Sequence, residues 1–217
     1  MTAEIDAVSV VVPAKDLASA KSRLCLPDRD RRQVALQLVT STVAVALSAS
    51  SVGCVLVVTS DVTIAAATAR LGATTVDDLL STGLNQAAAL GRRRAQAMRP
   101  RSPVAILVAD LPLLQSAELD AAVAQFRLLD RPMVVADRHG TGTTMLIHGA
   151  DDAPEIRFGP GSAGAHARAG FRSAEGTLVG LRTDLDVPVD VTHVLRHRRR
   201  PGWSVPAPSG PSRVAGS

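Results

Sequence analysis

The chain has 217 residues, 46% apolar and only 2% aromatic, enough aliphatic material to bury a core and too much for a disordered chain. A net charge of +4 and a pI near 10.0 suit a polyanionic ligand, yet no RNA-binding aromatic motif or zinc-finger spacing accompanies them, so nucleic acid is not the expected partner. The most apolar stretch, Val43 to Val58, is broken by Ser and Gly short of the ~18 residues a membrane span needs, and Met1 to Asp6 lacks signal-peptide character; a cytoplasmic chain with no membrane partner is expected.

In chain order, Val8 to Val12 is a valine-rich run that stops at Pro13, the pattern of a buried parallel strand. A polar loop follows. Across Arg31 to Ala49, Val34, Leu38, Thr42 and Ala46 recur at helical spacing, and Ala35 and Val39 widen the stripe. Gly53 punctuates, Val55 to Val58 reads as a second strand, and a helix spans Val62 to Leu71 with Gly72 as its stop. Ala73 to Val76 reads as a third strand, followed by a loop of Asp, Ser and Gly and a helix from Leu84 to Met98. Pro103 to Val108 is a further strand, ending at Ala109-Asp110-Leu111-Pro112. Ser116 is a candidate N-cap before Ala117-Glu118-Leu119. Met133 to Ala136 and Thr143 to Ile147 complete the strands. This alternation predicts an α/β fold, a mostly parallel sheet with helices on both faces, with ligands at the carboxyl ends of its strands. The expected organisation is one domain over residues 1–197 and a disordered basic, Pro/Gly/Ser-rich tail over residues 198–217.

Common nucleotide and hydrolase motifs are missing: there is no G-x-x-x-x-G-K-[ST], no G-x-G-x-x-G after the first strand and no G-x-S-x-G. Cys25 and Cys54 match neither a metal spacing nor a disulfide framework and read as small core-filling residues. His193 and His197 read as structural, and Arg196 with Arg198-Arg199-Arg200 as a solvated run. The basic residues hold a sharper signal. Of 24 Lys and Arg, only Lys15 and Lys21 are lysine, and both fall in the loop after the first strand. A compact ammonium differs from a planar guanidinium as a phosphate ligand.

Lys15, Lys21 and Arg23 can together neutralise a triphosphate. Asp110, at a strand end, can hold Mg²⁺, which takes oxygen ligands and shares them with substrate phosphates. Asp184 and Asp186 sit at what reads as another strand-to-helix junction, and their spacing lets both approach one cation if the backbone turns. Each carboxylate taken alone reads equally well as a turn or helix cap.

Six motifs then occur in order: P-A-K-x-x-x-x-A-K-S-R-L at Pro13 to Leu24, G-L-N-Q-A at Gly83 to Ala87, D-L-P at Asp110 to Pro112, A-D-R-x-G-T-G-T at Ala136 to Thr143, R-F-G-P-x-S at Arg157 to Ser162, and D-L-D-x-P-x-D at Asp184 to Asp190. From Val8 to His197 the chain resembles the guanylyltransferases of deazaflavin coenzyme F-420 biosynthesis, the archaeal 2-phospho-L-lactate and bacterial phosphoenolpyruvate enzymes. The resemblance implies a nucleotide-diphospho-sugar-transferase-like (GT-A-type) fold and transfer of GMP from GTP to a three-carbon phospho-acid. It implies that Lys15, Lys21 and Arg23 contact phosphates and act with Asp110 in catalysis. Pro13, Ala14, Lys15, Gly83, Leu84, Asn85 and Gln86 would hold the nucleotide. Asp110, with Asp184 or Asp186, would bind Mg²⁺, with Mn²⁺ the open alternative. Thr143, Gly159 and Ser162 would hold the acceptor, and their chemistry agrees: glycines allow close backbone approach and hydroxyls donate to phosphate. Ala109 stands where many relatives carry glycine.

Phosphoenolpyruvate is the expected acceptor; 2-phospho-L-lactate and 3-phosphoglycerate differ from it by so little that one or two contacts decide. Molybdenum-cofactor guanylyltransferases and the cytidylyltransferases of isoprenoid synthesis share the fold, but their first loops are richer in glycine than Pro13-Ala14-Lys15. A non-catalytic nucleotide-binding protein is the alternative of another class. A homodimer, and hand-over of the product to a downstream coenzyme F-420 transferase, stay open.

Overall fold

The computed structural model describes residues 7–24, 26–79, 83–129 and 131–186. The strands β1 (Val8–Pro13), β2 (Val52–Thr59), β3 (Thr74–Asp77), β4 (Val104–Leu107), β5 (Met133–Ala136), β6 (Thr143–His148) and β7 (Arg172–Ser173) form one sheet in the order β3-β2-β1-β4-β6-β5-β7. β6 runs antiparallel to both its neighbours, β4 and β5, while the other pairings are parallel. The helices are α1 (Asp28–Ser48), α2 (Val62–Arg70), α3 (Leu84–Met98), α4 (Ser116–Leu129), α5 (Ser162–Arg168) and α6 (Val179–Arg182).

Successive side chains of a strand point to opposite faces, so a sheet covered on both sides needs apolar residues at every position. The strands β1, β2 and β4 largely meet that demand, with Ser9 a buried polar exception on β1. Val10, Val12, Val57 and Leu107 face α1 and α4, where Ala35, Val39, Val43, Leu119 and Ala122 meet them. Val11, Leu56, Val58 and Ile106 face α3, against Ala87, Ala88 and Ala95, with Phe158 and Phe171 completing that layer. α3 lies close on the sheet because it carries glycine there: a Cβ on Gly91 would stand 2.3 Å from Val11 Cγ1 and 2.7 Å from Val58 Cγ2.

The stripe Val34, Ala35, Leu38, Val39, Thr42 and Ala46 is buried as its spacing predicts. The helix nevertheless starts at Asp28 rather than Arg31, since Asp28 and Asp30 sit in its first turn, where carboxylates favour the positive end of the helix. β2 extends back to Val52, three residues before the apolar run. Ser116 is the first residue of α4 rather than its cap, and the Gln115 N–H donates instead to Glu118 Oε2 at 3.1 Å. Asp184 and Asp186 do not follow a strand: they come after the one-turn helix α6. Cys54 is half-buried, its thiol 3.4 Å from Ser9 Oγ. Cys25, the His193/His197 pair, the Arg196–Arg200 run and the tail lie outside the described residues. Among the described residues no helix is long and apolar enough to cross a membrane.

The antiparallel β6 matters for function. Because it runs against β1 and β4, its first residues emerge at the edge where those two strands end, and the Val108 N–H donates to the Thr144 carbonyl at 3.0 Å. Loops after β1, β3 and β4 and the start of β6 therefore meet at one edge.

Candidate functional site

The loop after β1 is held from three sides. Asp16 accepts from the Ser19 N–H at 2.9 Å and the Ser19 hydroxyl at 2.6 Å, bonds that hold its carboxyl below the ordinary value. Asp61 caps α2 through the Thr63 and Ile64 amides, and its second oxygen accepts the Leu17 N–H at 2.9 Å. Arg31, buried at the start of α1, donates to the carbonyls of Ala18 at 2.8 Å and Ala20 at 2.6 Å. Arg31 is a residue the sequence reading passed over. Its signal was available: an arginine in register with the apolar stripe at 34, 35 and 38 is an odd helix neighbour unless it has fixed partners.

Lys21 ends this loop in a left-handed conformation, φ 58°, which costs a non-glycine residue about 1–3 kcal/mol. Its side chain is nearly buried and forms ion pairs with Asp110 and with Asp186 Oδ1, the latter at 3.1 Å. Burial alone would lower the ammonium, but the two carboxylates outweigh it and hold Lys21 above its ordinary value. Two backbone bonds bring the carboxylates to this point. The Leu111 N–H donates to the buried Thr42 hydroxyl at 3.3 Å, fixing the turn after Asp110, and the Leu185 N–H donates to the Asp110 carbonyl at 3.2 Å. Asp184 is partly buried, and that burial, with Asp110, Asp186 and Asp137 nearby, pushes its carboxyl up to about 7. Arg23 is exposed in the 3-10 turn Ser22–Leu24.

Beside this cluster opens a cleft of about 280 Å³, lined by Pro13, Ala14 and Lys15 on one wall and Gly83 and Leu84 on the other. That volume is near the lower end of the ~300–1,000 Å³ usual for small-molecule sites. Gly83 takes φ 110°, which lets the chain turn into α3 against the cleft. Five of the residues expected to hold a nucleotide therefore share one cavity. Asn85 and Gln86 face a second groove with Arg92 and Pro154. Asn85 uses both ends of its amide on one backbone unit, accepting the Phe158 N–H at 2.7 Å and donating to the Phe158 carbonyl at 3.2 Å. It thus ties the start of α3 to the loop that carries Gly159 and Ser162.

Across the sheet edge, Thr143, Gly159 and Ser162 come together. The Ser162 hydroxyl donates to Thr143 Oγ1 at 3.0 Å, and the Ser162 N–H donates to the Gly159 carbonyl at 3.1 Å. Gly159, at φ 134°, and Gly161, at φ 74°, take conformations other residues avoid. The preceding loop is shaped by Asp137, which accepts the N–H groups of His139, Thr141 and Gly142 at 3.1, 2.9 and 2.7 Å. A Cβ on Gly142 would stand 2.5 Å from that carboxylate.

The edge thus holds a cavity fitted with an ammonium, a lysine-bridged set of carboxylates, and a hydroxyl pair on glycine turns. The sequence profile of the guanylyl transferase CofC-like family matches residues 8–173, a span that includes all three except Asp184 and Asp186. The chain belongs to that family. A phosphoenolpyruvate guanylyltransferase of Geodermatophilus obscurus is 44% identical over 199 residues, covering 88% of this chain and 89% of the relative. One of Thermomonospora curvata is 42% identical over 190 residues, covering 86% and 82%. Among solved structures, a nucleotidyl transferase from Methanothermobacter thermautotroptrophicus superposes with a TM-score of 0.60 at 16% identity, covering 88% of this chain and 97% of that one. A cytidylyltransferase from Leptospira borgpetersenii gives a TM-score of 0.57 at 13% identity, covering 85% and 83%. Those two likenesses establish the nucleotidyltransferase-like fold, with its mostly parallel sheet covered on both faces.

For this CofC-like chain, the carboxylates also bear on a divalent metal. Among the described residues no group of three or more His, Cys, Asp or Glu side chains is arranged to hold a metal ion. Mg²⁺ does not need one, since it binds through one or two carboxylates and completes its shell with water and phosphate. The donors are all oxygen, and the Asp184 carboxyl is raised first by burial and then by the Asp110 and Asp186 charges, which a dication would offset. The residues fit such an ion.

Proposed function

We infer that this chain transfers GMP from GTP to the phosphate of phosphoenolpyruvate, giving enolpyruvoyl-diphospho-5'-guanosine and pyrophosphate. Membership of the guanylyl transferase CofC-like family supports the reaction class, and the two relatives at 42% and 44% identity are phosphoenolpyruvate guanylyltransferases. The observation that carries the reading to this chain's own residues is the single edge at which the Lys15 cleft, the Lys21–Asp110 pair and the Thr143–Ser162 hydroxyls meet.

In this reading GTP lies in the cleft between Pro13-Ala14-Lys15 and Gly83-Leu84, with Lys15 on its phosphates. The acceptor's phosphate lies against Thr143, Gly159 and Ser162. An oxygen of that phosphate attacks the α-phosphorus of GTP in line; the new P–O bond forms as the bond to the β-phosphate oxygen breaks, and pyrophosphate leaves with the electron pair. The nucleophile is already anionic at neutral pH, so no general base is needed. Lys15 and Lys21 lower the barrier by holding the reactants and offsetting charge as it shifts to the leaving group. Asp110 with Asp184 or Asp186 would hold Mg²⁺ or Mn²⁺, which supplies further neutralisation of phosphate charge when bound. The enolpyruvoyl product suits a transferase of coenzyme F-420 assembly as its next user.

The test is pyrophosphate release from GTP plus phosphoenolpyruvate by site variants. Removing one charge-stabilising contact costs ~3 kcal/mol, a rate loss of about a hundredfold. Lys15→Ala and Asp110→Ala should each fall by at least that much while the protein stays folded by circular dichroism. A wild-type rate in either variant contradicts the assignment.

A further inference from the structure

One buried side chain at this edge has no role in the reaction as described. His166 on α5 is 0% exposed, packed between Phe158, with ring centroids 6.1 Å apart, and Phe171, at 5.2 Å. Both its nitrogens are engaged. The Arg157 backbone N–H lies 3.1 Å from Nε2, and Thr143 Oγ1 lies 3.1 Å from Nδ1.

The backbone contact decides the tautomer. An amide N–H only donates, so Nε2 must be the accepting nitrogen and the ring proton sits on Nδ1. Burial, and then the Arg157 cation, keep the imidazole neutral, and protonating Nε2 would set two N–H groups against each other. Two neighbours act the other way, a Ser162 backbone hydrogen bond and the Glu155 charge, and both are weaker than burial and the Arg157 cation.

A proton count gives the consequence. With Nδ1–H donating, Thr143 Oγ1 receives a bond from the ring, and Thr143 and Ser162 hold two hydroxyl protons between them. One proton closes the 3.0 Å contact between the two hydroxyls. The other is left over to point at a ligand. In the opposite tautomer Nδ1 would accept the Thr143 proton, Ser162 would donate to Thr143, and none would remain.

We propose that His166 is a positioning residue for the acceptor: by donating from Nδ1 to Thr143 it keeps the Thr143–Ser162 pair one proton in surplus, and so able to donate to the acceptor's phosphate. This rests on the reading that Thr143 and Ser162 hold that phosphate. Arg157 takes part through its backbone N–H, which fixes the tautomer, and through its cation, which helps keep the ring neutral.

The test separates the two arms of the ring. In His166→Gln the longer amide reaches the position of Nε2 and keeps the Arg157 bond, but provides no donor to Thr143. In His166→Asn the shorter amide places an N–H where Nδ1 stands. We expect His166→Gln to raise the KM for phosphoenolpyruvate about tenfold, the worth of one hydrogen bond, with the KM for GTP unchanged. His166→Asn should restore most of that loss. A wild-type acceptor KM in His166→Gln, equal rises in both KM values, or Asn performing no better than Gln each overturns the proposal. Thr143→Val tells the two readings apart: if it leaves the acceptor KM unchanged, the acceptor-site reading itself fails. If it raises that KM while His166→Gln does not, only the role of His166 fails. Long-range ¹H–¹⁵N NMR of the wild-type protein reads the tautomer without any substitution; Nδ1–H is expected, and Nε2–H contradicts the proposal.

Discussion

At the scale of single residues, the site is a problem of charge. Asp110, Asp186 and Asp137 crowd Asp184, and Lys21 pairs with Asp110 and Asp186 from a left-handed backbone. Asp184 carries the clearest consequence. Its carboxyl is raised from an ordinary 3.8 to about 7, first by burial and then by Asp110 and Asp186. A raised folded-state value means that stability is fully present below the unfolded pKa and is lost as pH rises through the folded one. In the metal-free protein, Asp184→Asn should therefore be more stable than wild type at pH 8, with the gap closing as pH falls from about 7 toward 3.8. Denaturant unfolding at a series of pH values checks this; a gap that stays constant or widens at low pH would contradict it. Much of this scale was legible in sequence. Lysine scarcity pointed to Lys15 and Lys21, and the Asp motifs to the carboxylates. Arg31 was marked only by its register with the apolar stripe, and His166 not at all, because the contacts that give each its role lie outside its own helix.

At the scale of elements, hydrophobic periodicity located the longer pieces. The boundaries of α3 and β5 agree with it, since Gly83 and Met98 bound a clean helical stripe and Met133 to Ala136 is continuously apolar. Elements of one or two turns, α5 and α6, left no mark, because a period of 3.6 residues cannot be read from four or seven. That is why Asp184 and Asp186 were expected after a strand. Strand direction was also illegible: Thr143 to His148 has the same composition whichever way it runs, and only pairing with β4 and β5 reveals the antiparallel β6. The close seating of α3 gives a test at this scale. Gly91→Ala would gain up to ~1 kcal/mol of helix propensity, but the added methyl meets Val11 and Val58 well inside contact distance. Overpacking of this kind costs about 1–3 kcal/mol, and displacing α3 also moves the Gly83 wall of the cleft. The variant should melt several degrees below wild type with a raised KM for GTP; an unchanged or higher melting temperature would show that the sheet accommodates the methyl.

At the scale of the molecule, one reversed strand joins two half-sites. The parallel strands β1 and β4 end at the Lys15 cleft and the carboxylates, and β6 starts at the same edge with the Thr143–Ser162 hydroxyls. Asn85 links the halves, tying the helix that begins at the cleft wall to the loop of Gly159 and Ser162. A fold built this way can change its nucleotide or its acceptor by altering one set of loops. The most direct measurement is a mass-spectrometric competition in which the full chain is given GTP, Mg²⁺ and equimolar phosphoenolpyruvate, 2-phospho-L-lactate and 3-phosphoglycerate. Enolpyruvoyl-diphospho-guanosine should be the dominant product, with one pyrophosphate released per molecule formed. A folded protein that yields no guanylylated acid would contradict the proposed reaction, and one that favours another of the three acids would overturn the acceptor assignment.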